Sequence, residues 1–469
     1  MTIRWRRPWK WPLLCSLTVV AVAAQDPHAI LKEADRLFWL DNWLKARPLF
    51  AEAEKLFDAA GDWRNALYAR IGRLRADGDQ SGYPRVSQLL AEQLATSTVQ
   101  NDPQLKLRCL VVKASIDLSI DPASSLRTWK EAQALAEELK EAGWANRAKA
   151  ELGIIAFLQG DTQQEQGHIA GSIMTSMLLK DVAGQIRQLS LVAVGLGELG
   201  LNDRALRYAD EALKVAGQTP DTRFPLMANM AKAKCLEALG RAPEAEALLA
   251  KVLEYVNAAG MAVYRSDVLL AIGMRDEEKG RLDQAIEHLR QAASAAEEVG
   301  MPRPAASALF RLAKIFERQG KMTDAEAAAD RATEASRRLV DMYVLPRQLS
   351  TAASIKKRVG KIKEAADLYD EAADLVDAML VNVPTASLRS TLIAVMSEIY
   401  EGYTELALNR LKNPELAFQV VERAWPRRFG SAPRNSRWGR WQFSDHACRA
   451  GHRRDPDPAT GDTVRPAAA

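Results

Sequence analysis

The stretch Gly-Arg-Leu-Asp-Gln-Ala-Ile, residues 280–286, recurs 40 residues later as Gly-Lys-Met-Thr-Asp-Ala, residues 320–325. The interval extends well beyond this pair, because glycine occupies every fortieth position from 160 to 360, and alanine follows five residues after each of the last five glycines. A fixed period of roughly 20–50 residues is typical of a stacked-repeat architecture. The phased residues are Gly160, Gly200, Gly240, Gly280, Gly320, Gly360, Ala205, Ala245, Ala285, Ala325 and Ala365.

The sequence between the phased glycines predicts helices. It is rich in Ala, Leu, Glu, Lys and Arg, with apolar residues at helical spacing. Each phased glycine is expected to end a helix in the left-handed conformation, and Gly260 and Gly300 mark the second turn of the unit. A single hairpin cannot bury its apolar face, so neighbours must stack. The predicted fold is an all-α, right-handed superhelical solenoid of stacked antiparallel helix hairpins, in which each unit contacts only its neighbours.

The period divides the chain into regions. Regular 40-residue repeats are expected over 141–380, degenerate helical repeats over 25–140, and terminal helices over 381–424. Residues 25–424 have room for about ten hairpins of this length.

The unit resembles the tetratricopeptide repeat, in which a glycine turn precedes an alanine-rich second helix, as in 280–286 and 320–325. The resemblance covers roughly 150–380. A period of 40 exceeds the usual tetratricopeptide unit, and it is similar to the long-helix variety found in some bacterial regulators and in kinesin light chains. The resemblance implies a superhelix with an extended concave surface that binds proteins or peptides.

Residues 1–24 are predicted to be a signal peptide. A basic start with four cations, an apolar stretch from Leu13 to Val22 and small residues before Gln25 follow the usual order of such segments. We expect export to the periplasm or beyond in a bacterium; the alternative is an uncleaved N-terminal membrane anchor. No other membrane association is expected.

Charge argues against a nucleic-acid partner. The whole chain carries +4. The four cations in 1–24 and a surplus of five positive charges in 425–469 exceed that total, so residues 25–424 carry −5. Phosphate binding needs clustered Lys and Arg, which an acidic solenoid does not supply.

The composition changes abruptly at Trp425. Residues 425–469 contain nine Arg and five Pro but no Leu, Ile, Met, Lys, Glu or Tyr. We hypothesise a frameshift near codon 424, because a GC-rich gene read in the wrong frame gives such text. The alternative is a genuine disordered tail.

The terminal helices resemble the junction that precedes CHAT domains, which are caspase-like cysteine peptidases. A long helix over Leu388–Asn409 is expected, followed by a helix started by Asn413-Pro414 that ends in Ala-Phe-x-x-x-Glu-Arg at 417–423. If the resemblance holds, the catalytic domain is missing from this chain.

Two motifs that suggest chemistry are better explained otherwise. Gly-Leu-Gly-Glu-Leu-Gly at 195–200 matches a dinucleotide fingerprint but follows a predicted helix, where that motif requires a preceding strand. His-Ala-Cys-Arg-Ala-Gly at 446–451 echoes the caspase signature, but no histidine lies about 50 residues upstream.

Other reactive residues show no paired spacing. His28, His168 and His288 are isolated, and Cys109 and Cys235 lie three repeats apart, too far to form a disulfide if only neighbours touch. We therefore predict no catalytic, cofactor-binding or metal-binding residues and no enzyme activity. The predicted function is that of an exported scaffold binding a protein or peptide on its concave face. The alternatives are the truncated sensor arm of a CHAT-type cysteine peptidase and a purely architectural envelope protein.

Overall fold

A computed structural model describes residues 26–159, 162–339, 341–381, 383 and 385–424. Over these ranges the chain forms 22 α-helices and no strand. Those of the first half are α1 Pro27–Trp39, α2 Trp43–Ala59, α3 Trp63–Ser81, α4 Tyr83–Leu94, α5 Ser97–Gln100, α6 Pro103–Asp117, α7 Pro122–Glu138, α8 Ala142–Leu158, α9 Thr162–Leu178, α10 Val182–Glu198 and α11 Asn202–Gly217.

The second half continues the same alternation. Its helices are α12 Leu226–Ala238, α13 Ala242–Ala258, α14 Ala262–Glu278, α15 Leu282–Glu298, α16 Pro302–Arg318, α17 Met322–Leu339, α18 Leu345–Arg358, α19 Ile362–Val381, α20 Ala386–Val395, α21 Ser397–Asn409 and α22 Pro414–Ala424.

Consecutive helices pack as hairpins, and the hairpins stack. Hairpin 1 is α1–α2, hairpin 2 is α3–α4, hairpin 3 is α6–α7, and the series then runs in order to hairpin 9, α18–α19. Helices α20 to α22 form the tenth, and α5 is a single turn between hairpins 2 and 3. The predicted all-α solenoid of antiparallel helix hairpins is confirmed.

The turns within the regular hairpins depend on left-handed glycines. At Gly280, φ is 72°, its N–H donates to the Glu277 carbonyl at 3.0 Å, and the N–H of Arg281 donates to the Asp276 carbonyl at 2.9 Å. This pair of bonds satisfies carbonyls that the end of α14 would otherwise leave free, and glycine adopts the required conformation without steric strain. The same positive φ occurs at Gly200, Gly240, Gly320 and Gly360, while Gly160 lies outside the described residues.

Small residues beside these turns let the paired helices approach closely. Ala205, Ala245, Ala285, Ala325 and Ala365 are all fully buried in the first turns of second helices. At Gly273, seven residues before Gly280, a Cβ would lie 2.8 Å from the Leu289 side chain. Larger residues at such places would push the hairpin apart.

The terminal helices differ from their prediction at one point. The helix expected over Leu388–Asn409 is broken at Met396, where φ is −100° and ψ is 11°, into α20 and α21. Asn413 caps α22 as predicted, its side chain accepting from the Leu416 N–H at 3.0 Å. The break allows Leu392, Met396 and Ile399 all to be buried in one apolar cluster with α18 and α19.

Hairpins five apart in sequence also contact each other, so the prediction of contacts between neighbours alone was wrong. Hairpin 1 meets the segment before hairpin 6, where the Arg223 N–H donates to the Leu40 carbonyl at 3.4 Å. Helix α3 of hairpin 2 packs on α14 of hairpin 7. The Leu158 carbonyl at the end of α8 accepts from the Met342 N–H at 3.0 Å, just before hairpin 9 begins. Five hairpins therefore complete one turn of the superhelix, and successive turns touch.

Apolar packing accompanies this contact between turns. The core cluster of the first hairpins, from Leu31 to Ile116, also contains buried residues from α14 to α16 and their connections. They are Val263, Ala296, Val299, Met301 and Ala305. Burying this shared surface favours the closed turn.

Candidate ligand-binding cavity

The closed turn surrounds a cavity of about 230 Å³ that is partly open to solvent. Its wall is built mainly from the first helices of hairpins 2 to 7, with additions from α1, α2, α4 and α7. Much of the wall is aromatic, with contributions from Phe38, Trp43, Tyr83, Trp129, Trp144 and Tyr264. Apolar walls with a few polar groups are characteristic of small-ligand sites.

One face of the cavity is closed by a polar group that we call the closure cluster, formed by Arg75, Asp79, Tyr83, Arg223 and Tyr264. The buried Asp79 carboxylate accepts from Arg75 at 2.7 Å, from the Tyr83 hydroxyl at 2.7 Å and from Arg223 at 3.3 Å. The Tyr83 and Tyr264 hydroxyls are 3.4 Å apart. Since Arg223 lies just before hairpin 6 and Tyr264 lies in hairpin 7, about one superhelical turn after Asp79, this cluster joins successive turns.

Aromatic faces support the same arginines. The Arg75 guanidinium lies 3.6 Å from the centre of the Trp43 ring, and that of Arg223 lies 4.6 Å from it. A cation over an aromatic face gains electrostatic stabilisation, more so when water is excluded. Although burial disfavours its charge, Asp79 and its tyrosine neighbours raise the pKa of Arg75.

Arg147, which lines the cavity, ties α8 to hairpin 1. It donates to the Trp39 carbonyl at 2.6 Å, to Asp41 at 3.3 Å, and to both oxygens of Asp181, at 2.5 and 2.8 Å. Burial raises the pKa of Asp41, and the neighbouring Arg147 partly offsets the shift. Arg147 is therefore fully engaged by the protein.

Arg187 is the third arginine of the cavity wall. It makes a bidentate ion pair with Glu151, in which one of the two hydrogen bonds joins Nη2 to Oε2 at 2.7 Å. Burial opposes the charge of Arg187, but the Glu151 carboxylate holds its pKa above the ordinary value. Each arginine that lines the cavity thus has a carboxylate partner.

Three polar side chains on the wall have no hydrogen-bonding or ion-pair partner within the described ranges. The Gln188 amide, 2 % exposed, has no hydrogen bond at either its nitrogen or its oxygen among the described residues. The Trp129 indole N–H is likewise buried without an acceptor. Asp267 on α14 is partly buried, and burial raises its pKa to about 6, while Arg303 pulls it the other way.

The predicted repeat positions lie elsewhere. The phased glycines and alanines that the structure describes form the hairpin turns and the helix contacts, and none of them lines the cavity. The wall uses other phased positions, 13 and 16 residues before the glycines. At the first offset are Arg147, Arg187, Met227 and Asp267; at the second, Trp144, Gly184 and Tyr264 also reach the wall.

Sequence reasoning missed these positions because it sought residues that stay constant from unit to unit. At 13 residues before the glycine, the residue type changes from arginine to methionine to aspartate. A charged residue at a repeated position on an otherwise apolar helix face is the signal that could have located them.

Other side chains and motifs that could take part in chemistry have structural roles or are buried. His288 is hydrogen-bonded to Asp276 at 2.7 Å, and His28 packs edge-on against Phe57. Cys109 and Cys235 are free and buried, and burial raises the pKa of both thiols, that of Cys109 to about 12. Residues 195–200, which match the dinucleotide fingerprint, end helix α10 instead of opening one.

Some of the remaining predicted features lie outside the residues that the structure describes. The side chain of His168 and the segments 1–25 and 425–469, with Cys448, lie outside the described residues. Within the part that is described, no three His, Cys, Asp or Glu side chains are grouped as metal ligands require. None of the described helices combines the length and hydropathy needed to cross a bilayer.

Solved structures with similar helical architecture differ greatly in sequence. BtubC (BKLC) from P. vanneervenii is 16 % identical, with 58 % of this chain and 98 % of that one covered and a TM-score of 0.37. A Rap protein complexed with Competence and Sporulation Factor is 14 % identical, covering 81 % and 99 %, with a TM-score of 0.39. A signal transduction ATPase with a tetratricopeptide repeat sensor from Pyrococcus horikoshii is 14 % identical, covering 74 % and 53 %, with a TM-score of 0.41.

Sequence comparison is more specific. No curated protein matches the chain significantly. The profile of the tetratricopeptide repeat matches residues 193–262 and 270–338, which contain α11 to α17 almost entirely. The central hairpins of this solenoid are tetratricopeptide repeats.

Proposed function

We propose that this protein is an exported scaffold that binds a protein or peptide partner on the inner, concave surface formed by its first helices. The observation that carries the proposal is the set of unpaired polar groups on that surface, above all the buried Gln188 amide. A buried amide without partners destabilises the folded chain, and a ligand that supplies those partners would remove this cost.

The fold class supports the same proposal. Tetratricopeptide repeats generally bind protein partners, and curved repeat arrays present extended binding surfaces. The cavity is smaller than the roughly 300–1,000 Å³ of sites for drug-sized ligands. A narrow part of the partner, such as a peptide end or a side chain, would therefore enter it, while the rest lies along the adjoining helices.

Peptide selection tests the proposal directly. Random peptides displayed on phage are selected on the full chain, and their affinities are then measured by calorimetry against the wild type, Gln188→Leu and Lys251→Ala. Gln188→Leu removes the unpaired amide, whereas Lys251 is exposed on the second helix α13 and serves as the control. We expect at least a tenfold loss of affinity for Gln188→Leu alone. Equal affinity for all three proteins would refute binding on the inner surface.

A second candidate function is that of the regulatory arm of a CHAT-type cysteine peptidase. The observation in its favour is an exposed apolar strip on the last two helices, where Phe418 is 61 % exposed and Leu408, Leu411 and Val421 are also open to solvent. Arg423 secures this end by ion pairs to Asp370, Asp374 and Asp377 of α19. An apolar strip on a well-anchored helix pair is suited to packing against a further domain.

Resequencing of the gene distinguishes the two candidate functions. Resequencing codons 415–440 and translating all three forward frames would, if the peptidase candidate is right, give an open frame that continues the α22 helix into strand-like segments with a His and Cys pair. Rapid closure of the other frames would remove this candidate and leave the scaffold.

Export and the absence of catalysis are separate parts of the proposal. Residues 1–24 fused to a reporter enzyme that is active only in the periplasm are expected to give activity in the periplasmic fraction, as cleavage after a small-residue site predicts. Reporter retained in the membrane would favour the uncleaved anchor. Peptidase activity of the purified chain against a fluorogenic peptide library would contradict the non-enzymatic assignment.

A further inference from the structure

We propose that the internal cavity binds a primary ammonium group on an apolar or aromatic stem, with Asp267 as its counter-ion and Gln188 as its hydrogen-bonding neighbour. The inference rests on the proposed function and deepens it, because it names the chemistry of the ligand that enters the cavity. A peptide amino terminus and a small free amine share this chemistry.

The charge balance of the wall selects a cation. The wall and the closure cluster together hold four arginines paired with four carboxylates: Asp79 is shared by Arg75 and Arg223, Arg147 pairs with both Asp41 and Asp181, and Arg187 pairs with Glu151. Asp267 is the exception, because no hydrogen bond or ion pair joins it to any residue in the described ranges, and the nearby Arg303 is already paired with Asp341 at 2.9 Å. An anionic ligand would meet arginines that already have carboxylate partners and one carboxylate that is unpaired. An ammonium supplies that carboxylate with its missing partner.

The unpaired hydrogen-bonding groups provide the second, independent observation. Gln188 is nine-tenths buried or more, lines the cavity and offers both a donor and an acceptor. An ammonium has only donors, which the Gln188 carbonyl oxygen can accept. The Gln188 N–H and the Trp129 indole N–H remain as donors for an acceptor elsewhere on the ligand, such as the carbonyl of a first peptide residue.

The aromatic wall is suited to the stem of the ligand. Trp129, Trp144 and Tyr264 line the same cavity, and their faces attract both apolar groups and cations. Arginines already lie near four of the surrounding rings, at 3.7 Å from Trp39, 3.6 Å from Trp43, 5.3 Å from Trp144 and 4.7 Å from Tyr264. Among the described residues, Trp129 is the cavity tryptophan without a cation over its ring, so it is the best platform for the stem.

Matched probes test the inference on the full chain. Phenethylamine and 2-phenylethanol differ in the charged group but share the stem, and phenylalanyl-glycyl-glycine is used with a free or an acetylated amino terminus. Binding is followed by the fluorescence of the cavity tryptophans and by calorimetry at pH 7.5. We expect at least tenfold tighter binding of each amine than of its neutral counterpart. Binding of the tripeptide alone identifies a peptide terminus as the ligand; binding of phenethylamine alone identifies a small amine.

Variants assign the effect to the cavity. Asp267→Asn is expected to abolish the preference for the amine, whereas Asp203→Asn, an equal loss of charge at an exposed position on α11, leaves it unchanged. Gln188→Leu is the second variant should Asp267→Asn unfold, and it is expected to weaken amine binding at least fivefold. Equal binding of amine and alcohol, or a preference that survives Asp267→Asn, would overturn the inference.

The outcome is distinguishable from failure of the scaffold function. Phage-selected peptides that bind the inner surface yet tolerate both Asp267→Asn and acetylation would overturn the ammonium site and leave the scaffold intact. If the wild type binds no peptide but still prefers phenethylamine to 2-phenylethanol, the scaffold function is overturned and the ammonium site stands; if it binds no peptide and shows no such preference, both are overturned.

Discussion

The turns of the regular hairpins and the seam where the superhelix closes use glycine in opposite ways. At Gly200, Gly280 and Gly320 a Cβ would meet nothing within 4 Å, so glycine is needed there for its left-handed backbone alone. At Gly82 a Cβ would lie 2.5 Å from the Val299 carbonyl oxygen, and at Gly300 it would lie 2.6 Å from Pro84. The first set shapes each unit locally, whereas the second lets distant units touch. Contacts within one unit therefore determine the hairpins, and contacts between units far apart in the sequence determine how the hairpins surround a cavity.

The largest effect is expected from removing the anion of the closure cluster. Asp79→Ala leaves Arg75 and Arg223 buried without their shared carboxylate, an arrangement that typically destabilises a protein by about 3–5 kcal/mol. Because the loss falls at the seam, amide hydrogen exchange should accelerate first in α3 and α14. The matched control is Asp210→Ala, which breaks an exposed pair with Lys232 and is expected to change the free energy of unfolding by less than about 1 kcal/mol. Uniform acceleration along the chain would argue against a distinct seam.

A pair of glycine substitutions separates the two roles of that residue. Gly82→Ala must occupy φ 99° and ψ 153°, a region essentially reserved for glycine, and its Cβ meets backbone, so we expect a loss of about 3 kcal/mol. Gly320→Ala has the strained φ of 74° but open space, and a loss of about 1 kcal/mol is expected. Denaturant unfolding followed by circular dichroism measures both. Equal losses would show that the close contact at the seam adds no destabilisation beyond the backbone strain of a non-glycine residue with positive φ.

A further effect concerns Asp267 and depends on the pH. Its pKa rises from 3.8 to about 6 on folding, so the folded state binds the proton more tightly and the protein loses stability as the pH rises through this window. Relative to Asp267→Asn, the wild type should lose roughly 2 kcal/mol between pH 4 and pH 7. Because the other charged groups of the wall titrate in both proteins, the difference isolates this carboxyl. A difference that stays constant with pH would mean that Asp267 is well solvated or paired in the folded chain.

The sequence predicted the hairpins well because their determinants are local. A glycine with positive φ, a buried alanine five residues later and apolar residues at helical spacing all act within one unit, as at Gly280 and Ala285. Contact between turns of the superhelix was not predictable in this way. It depends on the pitch, which sums small rotations over five hairpins, and on surface matches such as that between Gly82 and Val299.

The cavity could be predicted from the sequence less well than the hairpins but better than the contact between turns. Its wall positions follow the 40-residue period, with Arg147, Arg187 and Asp267 at one offset, so their shared helix face could be derived from the sequence. Their enclosure could not, since it requires the seam to close. The unpaired state of Gln188 likewise depends on neighbours from other hairpins.

Closure of the superhelix is the central claim, and a zero-length carbodiimide cross-link tests it most directly. The reagent joins an amine to a carboxylate that is already in contact, and Lys45 of hairpin 1 lies 3.2 Å from Asp221, just before hairpin 6. Lys232 and Asp210, in adjacent units and 2.7 Å apart, provide the internal standard. The account predicts that mass spectrometry of the monomer recovers both cross-links in comparable yield. Recovery of the Lys232–Asp210 link without the Lys45–Asp221 link would mean that the superhelix is open and that the cavity is not enclosed.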